Sequence, residues 1–312
     1  MKGYLTTCEG AEYALPTLLE WEICYTGSVP CDSFTLRCPY EAAMAETLRR
    51  AVRFTAREDG AVEFRGVIDE VCARCDAKRG LELELSGRGM AALLLDSEAE
   101  AVSYELATTG EIVRNHVTPW GVACGAWDEA ECAGYRVANG ASQWKAVNDF
   151  AALHAGLTPY FRKDGTLELK RARRGAQVAI DDTTPVTALV SCDRRYGVIA
   201  EALVVDKKAG ARQRVRNEDL YARGGRSRRV FYVPAKSGAQ AMRCTGAYQI
   251  ERSKEGAETL TAAIAGRFAA APGDTAAVQW SRLGVSGRFR VIELKRRFGE
   301  DGETSEVKLQ RE

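Results

Sequence analysis

The sequence has 312 residues, enough for roughly two or three domains, and its 44 basic side chains nearly balance its 43 acidic ones. This near-neutral charge excludes the strong basic excess expected of a general nucleic-acid coat. No run of about 18 or more apolar residues is present, so no membrane-spanning segment is predicted. Residues 1–16 lack the apolar core of a secretory signal, so we expect synthesis and folding in a cytoplasm.

Residues 1–60 have the pattern of β-strands. Apolar and polar residues alternate from Leu19 to Tyr25, from Phe34 to Cys38 and from Val52 to Ala56. Such alternation is typical of a sheet with one buried face. Glu58-Asp59-Gly60 then predicts a hairpin turn, because Asp and Gly tolerate the positive φ angles that tight turns require.

The stretch from Val62 to Ala99 predicts two more strands, a corner and a short helix. Apolar residues alternate from Val62 to Ile68 and again from Leu81 to Leu85. Ser86-Gly87-Arg88-Gly89 interrupts this alternation. We interpret it as a tight corner and not a phosphate-binding loop, because it lacks the Gly-Lys-Ser/Thr ending of that motif. The dense apolar run Met90–Leu95 predicts the helix.

The pattern changes from about residue 100, where helical signals appear beside short strands. Thr108 and Glu111 have the spacing of a capping box at the start of one helix, and Ser142 can cap a second. A β-hairpin is predicted around Asp164-Gly165. We therefore interpret residues 100–175 as a separate, smaller α+β module.

Residues 176–312 return to the pattern of β-strands. Val198–Val205 is apolar on both faces, and Gly287–Arg297 and Glu303–Gln310 are predicted as closing strands. Apolar residues at i, i+4 and i+8 predict a helix over Glu255–Ala269. The sequence as a whole predicts a mainly β fold, with two small β-barrel domains at residues 1–99 and 176–312 on either side of the α+β module.

The most basic run of the sequence lies in the second predicted barrel. Its arginines are Arg223, Arg226, Arg228 and Arg229. Two functional interpretations stay open: the run could line a lumen and contact DNA phosphates, or it could pair with acidic residues of a neighbouring subunit. The third interpretation is a solvated, exposed loop, which is the usual state of a charge run.

Chemical motifs are weak in this sequence. Cys72-x-x-Cys75 is the one suggestive spacing among ten cysteines, and it could hold zinc, act as a redox pair or lie at a strand end. A structural zinc site would need a second close pair of cysteines or histidines, and none is present. Adjacent Asp69 and Glu70 would point to opposite faces of a strand, which makes a poor acid–base pair. We therefore predict no catalytic, metal-binding or cofactor-binding residues and no enzymatic activity.

Three segments carry a resemblance to one protein family. They are Phe64–Glu70 (FRGVIDE), Ser86–Gly89 (SGRG) and Leu93–Ala99 (LLLDSEA). Together they resemble the baseplate hub proteins of contractile phage tails, the family similar to the late control protein D. The resemblance is sharpest over these segments and extends through most of the chain.

The resemblance implies a function in assembly. Hub proteins of this family have two related barrel domains per chain, and three chains form a ring that joins the tail tube to the central spike. The implied partners are therefore a homotrimer, the tail tube protein, the central spike protein and other baseplate proteins, with DNA passing through the lumen. The implied location is the host bacterial cytoplasm during assembly, and then the baseplate of a phage, prophage or tail-like particle.

Two other classes of function stay open at this point. One is a cell-wall hydrolase associated with a tail, in which a hub-like part carries a lytic domain. The other is a monomeric β-barrel module that binds carbohydrate or nucleic acid. The absence of a catalytic constellation argues against the first, and the near-neutral charge argues against nucleic-acid binding by the second.

Overall fold

The computed structural model of the protein describes residues 1–27, 32–171, 175–208, 210–233 and 238–312. Strands dominate this part of the chain, short helices lie between them, and the middle of the chain mixes both types of element. The predicted class, a mainly β fold with an α+β part, is therefore confirmed.

The first β region contains seven strands among its described residues. They are β1 (Lys2–Thr7), β2 (Glu12–Ala14), β3 (Glu20–Thr26), β4 (Ser33–Pro39), β5 (Ala51–Glu58), β6 (Ala61–Asp76) and β7 (Gly80–Gly89). A 3-10 turn (Ala42–Met44) and helix α1 (Ala45–Arg50) connect β4 to β5, and helix α2 (Ala92–Leu95) follows β7. The predicted hairpin turn is confirmed, because Asp59 and Gly60 adopt φ angles of 50° and 82° between β5 and β6.

The α+β module has its own small sheets and its own hydrophobic core. Its elements are β8 (Val102–Ser103), β9 (Leu106–Thr108), α3 (Thr109–His116), a 3-10 turn (Thr118–Trp120), β10 (Cys124–Trp127), β11 (Glu131–Ala133), β12 (Arg136–Val137), α4 (Gln143–Asn148), a π-helical continuation (Asp149–Ala155), β13 (Thr158–Phe161) and β14 (Leu167–Lys170). The capping box of Thr108 and Glu111 begins α3, and Ser142 caps α4, as predicted.

The last β region contains nine strands among the described residues. Its elements are β15 (Gln177–Asp181), β16 (Val186–Asp193), β17 (Glu201–Asp206), β18 (Arg212–Arg216), α5 (Glu218–Ala222), β19 (Arg228–Val233), α6 (Ala239–Lys254), β20 (Glu258–Ala265), β21 (Thr275–Trp280), a 3-10 turn (Ser281–Leu283), β22 (Val285–Gly299) and β23 (Gly302–Arg311). The two closing strands predicted from alternation are confirmed as β22 and β23.

Strands of both β regions form one hydrogen-bonded sheet. Its order is β16-β20-β23-β22-β3-β4-β7-β6-β5-β1-β2, and β21 joins it beside β22 with β15 next to it. The two regions meet where β22 runs antiparallel to β3, with Phe298 opposite Trp21 and the two rings stacked 6.3 Å apart. One hydrophobic core extends from Leu5 to Leu309. The division into barrel domains 1–99 and 176–312 stays a prediction.

The helix predicted over Glu255–Ala269 is wrong. This segment contains strand β20, and the helix of the region is α6, which ends at Lys254. Leu260 and Ile264 are both buried in β20. Positions four apart share a face in a strand of period two as well as in a helix, so their spacing alone could not separate the two structures. The threonines of this segment add a preference for strand.

The corner predicted at Ser86–Gly89 is also wrong, because β7 continues through Gly89. Its glycines allow a close approach of backbones. A Cβ atom on Gly87 would lie 2.0 Å from the carbonyl oxygen of Val67. A Cβ atom on Gly66 would lie 2.1 Å from the carbonyl oxygen of Arg88. The two glycines therefore let β6 and β7 pack at a distance that a side chain would prevent.

Candidate assembly surfaces

The arginine run of the predicted site is divided between a turn and a strand. Its members are Arg223, Arg226, Arg228 and Arg229. Arg226 donates to the carbonyl oxygen of Tyr221 at 2.8 Å and lies 4.0 Å over that ring. Arg228 begins β19 and donates to Glu201 Oε1 at 2.6 Å. Arg223 follows α5 and donates to the carbonyl oxygen of Asp219. The run is therefore not a single loop, and only its last part lies on a sheet.

That sheet is a separate unit of three strands, ordered β18-β17-β19, in the segment between β16 and β20. Helix α6 packs on one face, where Ala202 contacts Ile250 and Val204 contacts Met242 within small apolar clusters. Side chains alternate across a strand, so the neighbours of Ala202 and Val204 in β17 point to the opposite face.

The opposite face of this sheet is open, and we call it the open face. Its residues follow from the strand register and are Glu201, Leu203, Val205, Arg212, Arg214, Arg216, Arg228, Val230 and Tyr232. Val230 is 45% exposed and Tyr232 is 63% exposed. Lys207 extends over the ring of Tyr232 at 6.0 Å. The open face therefore combines an apolar centre with a margin of cationic side chains.

Glu201 is the single acidic residue of the open face, and three arginines surround it. Arg228 and Arg216 donate to its carboxylate at 2.6 Å and 3.2 Å, and Arg214 Nε lies 3.6 Å from it. Burial raises the pKa of Glu201, but the hydrogen bonds from Arg216 and Arg228 and the positive charges of Arg228 and Arg214 together outweigh burial and hold the pKa below its usual range. The carboxylate therefore stays charged and orients the guanidinium groups around it.

The arginines of β18 were missed in the sequence analysis. Arg212, Arg214 and Arg216 alternate with Gln213 and Val215, which is the period of a strand with one charged face. This alternation follows the apolar strand Val198–Val205 after a short gap. The signal was present in the sequence, but the run at residues 223–229 has the higher density of charge.

Several strands of the large sheet have an edge without a partner among the described strands, and two of these edges belong to β6 and β16. β6 pairs with β5 only up to Val67, and its residues 68–76 pair with β7 alone. β16 pairs with β20 alone, and its Val190 is 57% exposed. An unpaired edge presents free N–H and C=O groups to another chain. These edges are therefore candidate contact surfaces.

A cluster of charges around buried Arg296 and Glu63, which we call the ionic cluster, joins the three parts of the chain. Its members are Glu58, Glu63, Lys163, Arg267, Arg296 and Glu303. Arg296 is only 2% exposed in its side chain and donates to Glu63 at 3.2 Å and Glu58 at 3.1 Å. Lys163, in the turn between β13 and β14, contacts Glu63 at 2.6 Å. Three cations thus balance three carboxylates at the junction of both β regions and the module.

The protonation states within the ionic cluster follow from these contacts. Burial raises the pKa of Glu58, but the hydrogen bond from Arg296 and the positive charges of Arg296 and Arg267 together outweigh burial and lower the pKa overall. Burial lowers the pKa of Arg296, and hydrogen bonds to Glu303 and Glu58 raise it above its usual range. Glu58 and Arg296 therefore stay charged near neutral pH and form an ion pair.

His116 lies in the core of the module. Its Nδ1 is 2.7 Å from Gln143 Oε1 and its Nε2 is 2.9 Å from the hydroxyl of Tyr104. Because the Gln143 oxygen can only accept, Nδ1 carries the proton and the Tyr104 hydroxyl donates to Nε2 in the neutral ring. Burial lowers the pKa of His116, and the hydrogen bond to Gln143 opposes that shift only in part.

The lowered pKa of His116 predicts an acid-dependent loss of stability. The unfolded chain takes up the proton near the ordinary pKa of about 6.5, before the folded chain does. The contribution of His116 to stability is therefore complete above that pH and is lost as the pH falls through the folded pKa. We expect the urea midpoint to fall from about pH 7.5 to about pH 5.5, the range in which histidine titrates.

A histidine variant supplies the control for this expectation. Replacing exposed His154 with Gln should leave the pH-dependent fall unchanged, whereas replacing His116 with Gln should reduce it. Equal pH dependence in the wild type and His116→Gln would contradict the assignment.

The cysteine pair of the sequence analysis is exposed on β6. Cys72 and Cys75 are three positions apart in a strand, so their side chains leave opposite faces and do not converge on one ion. Cys31 lies outside the described residues. Within the described ranges, no group of three or more His, Cys, Asp or Glu side chains could hold a metal ion.

None of the described helices is both long and apolar enough to span a bilayer.

This protein is similar in fold to several proteins of known structure. No protein-family model and no curated protein matches the sequence. A tail protein from Neisseria meningitidis MC58 is 17% identical, with a TM-score of 0.75 over 99% of this chain and 96% of that chain. The 43 kDa tail protein of prophage MuSo2 from Shewanella oneidensis is 14% identical, with a TM-score of 0.77 over 100% of this chain and 98% of that chain.

This chain has the fold of those phage tail proteins. The same fold extends to an E. coli component of the type VI secretion system, c3393, which itself has structural similarity to the T4 bacteriophage tail proteins gp27 and gp5. That match has 12% identity and a TM-score of 0.56, and it covers 95% of this chain and 74% of that chain. The likeness to the tail proteins is not confined to one domain, since it runs through nearly the whole length of both chains.

Proposed function

We propose that this protein is a structural, non-enzymatic baseplate hub of a contractile phage tail or tail-like particle. The observation that carries the proposal is the end-to-end likeness to two phage tail proteins. The similarity of the E. coli component to gp27 and gp5 supports it, as does the resemblance of Phe64–Glu70 and Leu93–Ala99 to hub proteins.

In this proposal, three copies close into a ring between the tail tube and the central spike. A ring with rotational symmetry uses heterologous contacts, so each chain must offer two different surfaces to its neighbours. The unpaired edges of β6 and β16 suit this requirement, because they lie well apart in the strand order and can each accept another strand. Each edge would contact a different neighbouring copy.

The remaining parts of the chain take roles that follow from this ring. Residues 1–99 and 176–312 would be the two barrel domains that face the tube and line a lumen through which DNA passes. The module at residues 100–175 would contact other baseplate proteins. Assembly would take place in the host bacterial cytoplasm, and the mature protein would reside in the tail of the particle.

The ring can be tested with the purified chain. Light scattering over a range of concentrations should give a mass three times the 34.1 kDa of one chain. Negative-stain images should show rings with three-fold symmetry and a central opening. Replacing Val190 on the edge of β16 with lysine should weaken the ring, because a charge on an edge opposes strand pairing.

A second variant controls for surface charge as such. Leu283 is also exposed, but it lies in a 3-10 turn away from the strand edges. Leu283→Lys should leave the ring intact. A monomer at every concentration, or an assembly of even order, would contradict the proposed ring.

A further inference from the structure

The near-neutral charge of the chain hides a strong separation of charge along it. Residues 96–131 contain eight acidic side chains and one basic side chain. Residues 194–233 contain eleven basic side chains and four acidic ones. Most of the first segment, from residue 100 onward, belongs to the α+β module, and the second segment includes the three-stranded sheet with the open face. One chain therefore carries two parts of opposite charge.

The open face has the composition of a protein-binding surface. Arginine and tyrosine are enriched at protein interfaces, and the open face has four arginines and Tyr232 around aliphatic side chains. Leu203, Val205 and Val230 offer apolar area that phosphate groups of a nucleic acid would not use. We therefore expect an occupant that has both carboxylates and apolar side chains.

The acidic segment, residues 96–131, offers both kinds of group. Glu98, Glu100, Glu105 and Glu131 are exposed, and no described residue forms an ion pair with their side chains. Leu106 is the first residue of β9, next to Glu105, and is 50% exposed. Strands β9 and β11 hold this region in place through their antiparallel pairing. The segment therefore presents fixed, unpaired carboxylates beside an apolar side chain.

We infer that the open face of one copy binds the acidic surface of the module in a second copy. This inference rests on the proposed ring and names one of its contacts. Opposite charge draws the two surfaces together and excludes like-charged alternatives. Leu106 of one copy would then lie against the apolar centre around Val230 of the next. The contact is heterologous, as a closed ring requires.

The test is a charge reversal on each surface, at positions that make no internal ion pair among the described residues. The basic-face variant is Lys207→Glu with Arg212→Glu, and the acidic-surface variant is Glu100→Lys with Glu105→Lys. We expect each variant to weaken association by about a hundredfold, since like charges that meet across an interface are strongly unfavourable. A chain with all four substitutions should recover association close to that of the wild type.

A matched control separates this contact from net charge. Arg243 and Arg252 lie exposed on α6, which covers the other face of the same sheet. Arg243→Glu with Arg252→Glu changes the net charge by the same amount as the basic-face variant and should leave association unchanged. Circular dichroism and thermal unfolding of each variant report whether the fold is retained.

The outcomes distinguish this contact from the ring itself. A wild-type ring that persists in the basic-face variant would overturn the inference and leave the proposed hub standing. Failure of the four-substitution chain to recover association would also overturn it. If the basic-face variant keeps its ring but loses binding of a single-stranded oligonucleotide, the open face binds nucleic acid and the inference is wrong. A wild-type chain that stays monomeric would contradict both the contact and the ring.

Discussion

Replacing Arg296 with alanine is expected to lower the free energy of unfolding by about 3–5 kcal/mol, the range seen when one partner is removed from a buried ion pair. The substitution would leave Glu58, Glu63 and Glu303 close together with fewer cations to balance them. It would also remove the guanidinium from its position 5.5 Å over the ring of Trp21. Urea unfolding followed by tryptophan fluorescence and by circular dichroism measures this loss.

The neighbouring residue supplies the control for Arg296. Arg297 lies on the same strand but is exposed, so Arg297→Ala should change stability by no more than about 0.5 kcal/mol, the usual size of a surface substitution. Arg296→Lys should fall between the two, because lysine keeps a charge but cannot contact several carboxylates with a planar fork. Equal stability of the Arg296 and Arg297 alanine variants would show that the ionic cluster contributes little.

Replacing Gly87 with alanine is expected to destabilise the protein by about 3 kcal/mol or more, at the upper end for overpacking a filled site. The new Cβ would lie 2.0 Å from the carbonyl oxygen of Val67 and 2.7 Å from the ring of Phe34. A backbone oxygen within a paired strand cannot move away as a flexible side chain can, so the pairing of β6 with β7 would have to shift. Chemical denaturation at constant pH measures the effect.

A glycine in open space gives the comparison for Gly87. Gly110 lies in the first turn of α3, and a Cβ there would meet nothing within 4 Å. Gly110→Ala should therefore leave stability unchanged or raise it by up to about 1 kcal/mol, the difference in helix propensity. A Gly87→Ala variant that unfolds at the wild-type urea concentration would contradict the close approach of β6 and β7.

Features that depend on neighbours in the sequence could be predicted from the sequence. The turn at Asp59-Gly60, the capping box of Thr108 and Glu111, and the cap at Ser142 all form as expected. In each of these, a few residues determine the backbone through a φ angle or a hydrogen bond to a nearby N–H group. Such signals are local and need no knowledge of the rest of the fold.

Two local patterns led to wrong predictions because each fits more than one structure. The spacing of Leu260 and Ile264 suits a helix and a strand equally. The segment forms strand β20 because it pairs with β16 on one side and β23 on the other. The glycines of Ser86–Gly89 suggested a corner, whereas they accommodate a facing backbone. In both segments the deciding contact comes from residues far away in the sequence.

The candidate surfaces depend still more on distant residues. The ionic cluster brings together Glu58 and Glu303, which no periodicity relates. On the open face, strand pairing places Arg216 and Arg228 on either side of Glu201. The sequence identified Arg228 as part of a basic run, but it could not show that β18 would supply further arginines to the same face. Surfaces assembled by tertiary structure are visible only once the strand order is known.

The pairing of β3 with β22 has a consequence for synthesis on the ribosome. Residue 21 lies opposite residue 298, so the partner of β3 emerges only after nearly everything between them has been translated. Until then, the apolar side chains and edge groups of β3 have no strand beside them on that side, which is a hazard for nascent chains. A pairing of such long range also forms slowly. We therefore expect the yield of native protein to depend on chaperone supply and growth temperature more than its final stability would suggest.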